Sequence, residues 1–234
     1  MNAQKIFERL GIRDGIFVDV GANDGVTNNM TNELEVNNWK GLLIEPNPVL
    51  ISKLKVNRKS TIIPKALSSK QGMVKFFIVD GPGNLHGLSR ITINKEFENH
   101  VEKHSGKISS YEIECTTLNE ILRNANMANI DFLKIDVEGH ELEVLKGLDF
   151  TKCRPRVIVA EDNTKDEDTR VRNYLKSFNY HLVVRHSMNN YFVQKEDIPY
   201  FWKERIVADV TLYRWKLKRK IFKIFGKQYK SNYI

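Results

Sequence analysis

Cysteine is nearly missing from this chain: 234 residues contain only Cys115 and Cys153, and the pair has neither a metal-ligand spacing nor enough members for a disulfide framework. Both are expected to be ordinary buried thiols in a reducing compartment. No run of 18 consecutive apolar residues occurs, so no membrane-spanning helix is expected. The opening MNAQKIFERLG lacks the apolar centre of a secretion signal, which makes a cytoplasmic location the expectation. No Ser/Pro/Gly linker and no internal repeat divides the chain. Acidic residues are absent from 212 to 234, where eight basic residues stand (Arg214, Lys216, Lys218, Arg219, Lys220, Lys223, Lys227 and Lys230). The other 29 basic and 29 acidic residues cancel, so the net charge of +8 belongs to the tail and not to the body. Nucleic acid is therefore not the expected partner, although a noncatalytic nucleotide- or RNA-binding module using that tail is the alternative from another functional class.

At 41% apolar, the chain can bury one substantial core, with about three quarters of its unfolded surface withdrawn from water. The informative part is a stretch reading FVDVGANDG, Phe17 to Gly25. Ile16, Phe17, Val18 and Val20 make a nearly continuous strand signal, Asp19 interrupts it, and Gly21 to Gly25 turn the chain before the helix-start residues Thr27, Asn28 and Asn29. A strand, a glycine turn and a helix form a cradle in which backbone can approach a ligand. The dinucleotide pattern Gly-x-Gly-x-x-Gly is not met, because Asn23 holds the place of the second glycine, and this disfavours NAD. The next strand, 41 to 45 in GLLIEPNP, ends in Glu45, and an acid at that tip is placed to accept hydrogen bonds from two ribose hydroxyls. A ribose-bearing cofactor is implied; a solvated acid at a strand end is the plainer alternative.

These features resemble the class I S-adenosylmethionine-dependent methyltransferases, and IDFLKIDVEGHELEVLKGL, Ile130 to Leu148, narrows the resemblance to the FkbM family of methyltransferases. FVDVGANDG and IEPNP resemble that family's cofactor half, and the likeness covers roughly residues 15 to 162. It implies an α/β, Rossmann-like fold with a mainly parallel central sheet, helices on both faces and an antiparallel last strand. It also implies O-methylation of small molecules, often sugars or polyketides, with S-adenosylmethionine consumed and S-adenosylhomocysteine released. Asp19, Gly21, Asn23, Asp24, Gly25, Glu45, Ala66 and Asp136 are the residues expected on the cofactor side. Strand patterns at 15–21, 41–45, 61–66, 73–79, 111–116, 130–137, 156–161, 180–185 and 190–194 fit such a sheet, and HLVVRH followed by YFVQK suggests a closing hairpin.

Methyl transfer from a sulfonium to a hydroxyl needs an aligned oxygen and a base or a metal. Asp136, Glu138 and His140 follow one another at the end of the 130–137 strand, and Glu161 and Asp162 end the next. His140 is the expected base because histidine is deprotonated near neutral pH without tuning, whereas a carboxylate must be buried first. Asp136 would orient that base or touch the cofactor, and Glu138 would meet the acceptor hydroxyl. The same carboxylates could hold magnesium or manganese, which no spacing in the sequence decides. Between 80 and 110 the pattern lapses into a Gly-, Asn-, His- and Ser-rich stretch, read as acceptor pocket or lid, with His86, Ser89 and Arg90 as the substrate contacts. The sequence after the 130–137 strand reads DVEGHE, without the Pro-Pro-aromatic platform that holds a nucleobase amine. The expected acceptor is thus a sugar hydroxyl, as in a nucleotide-linked sugar for a surface polysaccharide, with a polyketide or lipid hydroxyl as the alternative. Residues 1–211 are expected to form the catalytic domain and 212–234 a basic amphipathic helix, placed to pack on the domain or a dimer partner or to lie peripherally on an anionic membrane.

Overall fold

The chain alternates apolar strand segments with helical ones through most of its length, and this order folds as one would expect of a parallel sheet. The computed structural model describes residues 3–82, 85–164 and 167–225. In chain order its elements are α1 (Ala3–Arg9), β1 (Ile16–Val20), α2 (Met30–Val36), β2 (Lys40–Ile44), α3 (Pro48–Asn57), β3 (Thr61–Ile63), β4 (Ala66–Leu67), β5 (Gly72–Asp80), α4 (Lys95–Lys103), β6 (Lys107–Thr116), α5 (Leu118–Asn124), β7 (Phe132–Ile135), α6 (Glu141–Lys146), β8 (Val157–Glu161), α7 (Arg170–Ser177), β9 (Tyr180–His186), β10 (Asn189–Gln194) and α8 (Trp202–Phe225).

Seven strands form one sheet in the order β3-β2-β1-β7-β8-β10-β9. The first five are parallel, and β10 enters antiparallel between β8 and β9, so the expected antiparallel last strand is present. Successive strand residues face opposite sides of the sheet. Val18, Val20, Leu42, Ile44, Leu133 and Ile135 pack with α5, α6 and α7 on one side. Phe17, Leu43, Phe132, Val157 and Val159 pack with α1, α2 and α3 on the other. Both cysteines are buried and free, as expected.

Three features of the sequence reading change. The segment 61–66 is not one strand: Pro64, which has no N–H to donate, separates β3 from β4, and β4 leaves for a second sheet in the order β4-β6-β5. The stretch 80–110 is more regular than its composition suggests. It contains a 3-10 turn at Leu85–Leu88 and α4, whose N-cap Asn94 accepts the Phe97 N–H at 2.8 Å. Helix α4 buries only Val101, and seven of its nine residues are charged or polar, so its composition reads as a solvated segment. Finally, the expected boundary at 211 falls inside α8, which starts at Trp202, well before the basic segment. Residues 226–234 of that segment, with Lys227 and Lys230, lie outside the described residues.

Candidate active site

The strand order reverses between β1 and β7: chain-order neighbours run from β1 towards β3 on one side, and β7 and β8 lie on the other. In open α/β sheets ligands bind at such a switch point, beyond the carboxyl ends of the strands. There the protein opens a cleft of about 560 Å3, a size that suits a small-molecule site. Gly21, Asn23, Glu45 and Ala66 line one side of it, Asp136, Glu138 and Glu161 the other, and His86, Ser89 and Arg90 close it from the 80–90 segment.

At the β1 end the backbone sets the geometry. Gly21 has φ +81, and a Cβ there would fall 1.8 Å from the carbonyl oxygen of Asp136, so only glycine fits where the two strand ends meet. Glu45 is buried, and each of its oxygens accepts a backbone N–H, Oε2 from Asn23 at 2.9 Å and Oε1 from Asn47 at 2.8 Å. A carboxylate held by two N–H groups keeps further lone pairs for hydroxyl donors. Burial pushes Glu45 up to about 7 against the pull of those donors and of Lys134.

Beneath the cleft lies a polar network that holds these strand ends. Asp19 is fully buried and does not reach the cleft. It accepts from Lys134 Nζ at 3.0 Å, Thr31 Oγ1 at 2.7 Å and Asn29 Nδ2 at 2.9 Å. Lys134 also donates to the Gly21 carbonyl at 3.1 Å and sits 3.5 Å from Asp136. Burial opposes the lysine's charge, but Asp19 and Asp136 outweigh it and raise its pKa, so it stays an ammonium. Arg58, also buried, donates to the carbonyls of Gly25 and Thr31 and pairs with Glu35 at 2.8 Å. Asp24 and Gly25 belong to this support as well. Asp24 caps the turn by accepting from Val26, Thr27 N–H and Thr27 Oγ1, and a Cβ on Gly25 would collide with Leu54 and Arg58. Three expected cofactor contacts, Asp19, Asp24 and Gly25, thus sit behind the cleft wall.

At the other end three carboxylates converge. Oxygens of Asp136, Glu138 and Glu161 lie within 4.8 Å of one another, close enough to share a cation. Glu138 occupies the left-handed region at φ +56, uncommon for a residue other than Gly, Asn or Asp. It is held there because the Glu141 carboxylate accepts the N–H groups of Val137 at 3.2 Å and Gly139 at 3.0 Å, pinning the loop that carries it. Burial and the neighbouring Asp136 and Glu141 push Glu138 up to about 7, although Arg90 Nη2 pairs with it at 2.5 Å. Glu161 is raised by burial first and then by the negative charges of Asp136 and Glu138. Arg90 stacks on Phe97 with its guanidinium carbon 4.0 Å from the ring centroid. Ser89 Oγ donates to the His86 carbonyl and accepts from the Val79 N–H, a structural pattern at the cleft edge. Nδ1 of His86 is buried without a hydrogen-bond partner among the described residues, while Nε2 faces Asp80 at 3.4 Å.

His140, the expected base, is placed elsewhere. It is the N-cap residue of α6, its Nε2 lies 3.0 Å from Ser68 Oγ, and it does not line the cleft. Burial lowers its pKa. Asp162 likewise turns away, to Arg185 Nη1 at 2.6 Å. Sequence reasoning missed Lys134, Glu141, Arg58 and Asn47, and also the β9–β10 turn, whose His186 to Asn189 line the cleft. A lysine inside the apolar run FLKI was the one available signal, since an unpaired charge is not tolerated there.

No curated protein matches the chain by sequence. By structure it is similar to a methyltransferase FkbM from Methylobacillus flagellatus, with a TM-score of 0.52 and 18% identity. That match covers 77% of this chain and 44% of the other, so the chain spans less than half of its neighbour's length. A precorrin-6y methyltransferase from Geobacter metallireducens gives a TM-score of 0.42 at 13% identity, over 81% of this chain and 84% of that one. The fibrillarin pre-rRNA processing protein of Methanococcus jannaschii gives 0.41 at 13% identity, over 77% and 66%. The sequence profile of the methyltransferase FkbM domain matches residues 19–182, most of the chain, and takes in the glycine turn from Asp19 to Gly25, Glu45 and the whole of the Ile130 to Leu148 segment. The chain belongs to the FkbM methyltransferase family.

Proposed function

We propose that this protein is an S-adenosylmethionine-dependent O-methyltransferase whose acceptor is a sugar hydroxyl, carried on a nucleotide-linked sugar for surface polysaccharide. The observation that supports it best is the cleft's polarity, with Glu45 held by two backbone N–H groups at one end and three converging carboxylates at the other. Bound in that cleft, S-adenosylmethionine would supply an electrophilic methyl group. Glu45 would hold the ribose diol, and the glycine turn at Gly21 would let backbone approach closely. Glu138 is our candidate base in place of His140. A carboxyl brought to about 7 is half ionised near neutral pH and can take the hydroxyl proton as the new C–O bond forms. Burial first, and then the negative charges of Asp136 and Glu141, hold that proton affinity up.

Arg90 couples recognition to this step. It occupies Glu138 now, and its fork of donors also fits a phosphate. An acceptor phosphate on Arg90 would release Glu138 from its ion pair and raise its basicity. His86, which lines the cleft and whose buried Nδ1 has no partner among the described residues, would contact a further acceptor hydroxyl. A second reading of the carboxylates, a magnesium or manganese site, rests on the same 4.8 Å cluster and would polarise the hydroxyl instead. Turnover of the Glu138→Gln variant with and without EDTA separates them. Under the base reading, Glu138→Gln loses about 100-fold in turnover and EDTA leaves the parent unchanged. Loss of parent activity in EDTA, restored by magnesium, would assign the cluster to a cation. Full activity of the variant would refute both roles for Glu138.

A further inference from the structure

Helix α8 covers the sheet edge at β9 with one face and leaves an ordered apolar stripe on the opposite one. Ala208 and Leu212 are buried, and Trp215 lies under the Arg185 guanidinium at 4.8 Å. On the far side Trp202, Ile206, Val210, Tyr213 and Leu217 are exposed at 57%, 54%, 48%, 67% and 44%. Their spacing is four, four, three, four, and the sequence continues it with Ile221 and Ile224. That is an eleven-residue repeat, about 3.67 residues per turn, so from Trp202 to Leu217 the stripe keeps to one side of the helix for about 22 Å. A two-stranded left-handed coiled coil would need a seven-residue repeat instead. A stripe that keeps to one side of the helix lets the whole face lie on a flat surface.

The charges around it choose the partner. Lys203, Arg214 and Lys218 are exposed on one flank, and every charged residue from 214 to 230 is basic. The two acids of α8 are each matched by arginine: Glu204 pairs with Arg9 at 2.8 Å and Asp209 approaches Arg205 at 3.9 Å. Stacking two such helices would bring two basic segments together. An anionic lipid surface offers the opposite charge, and tryptophan and tyrosine suit its boundary because each has an apolar ring with a polar edge. No helix among the described residues is long and apolar enough to cross a membrane, so this contact would lie in the surface plane. We propose that α8 docks the protein on an anionic membrane surface through Trp202, Ile206, Val210, Tyr213 and Leu217, with the flanking lysines and arginines on lipid headgroups.

The test is co-sedimentation of the full chain with phosphatidylcholine vesicles containing or lacking phosphatidylglycerol, beside light scattering for oligomeric state. The proposal expects binding to the anionic vesicles only, weakening as salt is raised. Replacing the stripe by serine in Trp202→Ser, Ile206→Ser and Tyr213→Ser should reduce binding roughly tenfold or more, with the circular dichroism spectrum kept. Arg214→Glu with Lys218→Glu, which leaves the stripe intact, should do the same and serves if the triple variant misfolds. No binding to anionic vesicles, equal binding by parent and both variants, or a dimer that the stripe variant dissociates would overturn the proposal, the last in favour of a second copy of this chain.

Discussion

Glu45 and Glu138 are both carboxylates pushed up to about 7, and their partners give them different work. Glu45 is fixed by two backbone donors and cannot swing towards a reacting atom. Glu138 is paired with one side chain, Arg90, at the other end of the cleft. A base with that pKa makes kcat/KM rise with pH through about 7, because the ionised form must take the proton. A pH–rate profile of the parent measures this, and a rise that persists unchanged in Glu138→Gln would assign the titration elsewhere. His140 is predicted to be replaceable: His140→Ala should leave turnover within a few-fold of the parent, since its ring meets Ser68 outside the cleft. A loss of about 100-fold with cofactor affinity intact would restore it as the base.

At the scale of elements, the strand ends work because a buried network holds β1, β7 and the first turn of α2 together. Lys134 is its centre, and Lys134→Met would leave Asp19 charged and uncompensated. Removing one partner of a buried pair costs about 3 to 5 kcal/mol, so we predict a large drop in the denaturation midpoint, read by chemical unfolding. A change below about 1 kcal/mol would mean that Thr31 and Asn29 alone satisfy Asp19. This network also shows where the sequence is legible. The strand acids and glycines announce a cleft because they break apolar runs, and Glu45, Asp136, Glu138 and Glu161 do line it. Which side of the wall a residue faces was not legible: Asp19 and Asp24 carry the same chemistry as Glu45, and only the pleat and the turn decide that they point away from the cleft. The same limit misplaced His140, two residues beyond Glu138, because the left-handed turn at Glu138 and Gly139 redirects the chain. Helix α4 escaped because it is strongly polar and buries only Val101, and the strands at 73–79 and 111–116 were legible while their departure into a second sheet with β4 was not.

The whole molecule concentrates raised carboxylates in one region, and this has a stability signature. A carboxyl whose folded pKa lies above its unfolded value binds more protons in the native state, so native stability falls as pH rises between the two values. For Glu45 and Glu138 that window runs from 4.5 to about 7. The lowered His140 acts in the opposite sense as pH passes its unfolded value of 6.5, which makes the comparison with a variant the clean measurement. Glu138→Gln should flatten the decline in melting temperature between these pH values relative to the parent, and an unchanged slope would mean that Glu138 is ionised throughout. Ligand occupancy at the Glu45 end would add to stability by mass action in proportion to its affinity.

That end of the cleft carries the central claim, and titration calorimetry with S-adenosylhomocysteine on the parent and on Glu45→Ala tests it most directly. The account predicts binding in the micromolar range by the parent and a loss of about 1 to 3 kcal/mol in the variant, as hydrogen bonds to the ribose hydroxyls disappear. Absence of binding by the parent, or equal affinity in both proteins, would contradict the assignment of Glu45 and the cofactor reading built on it.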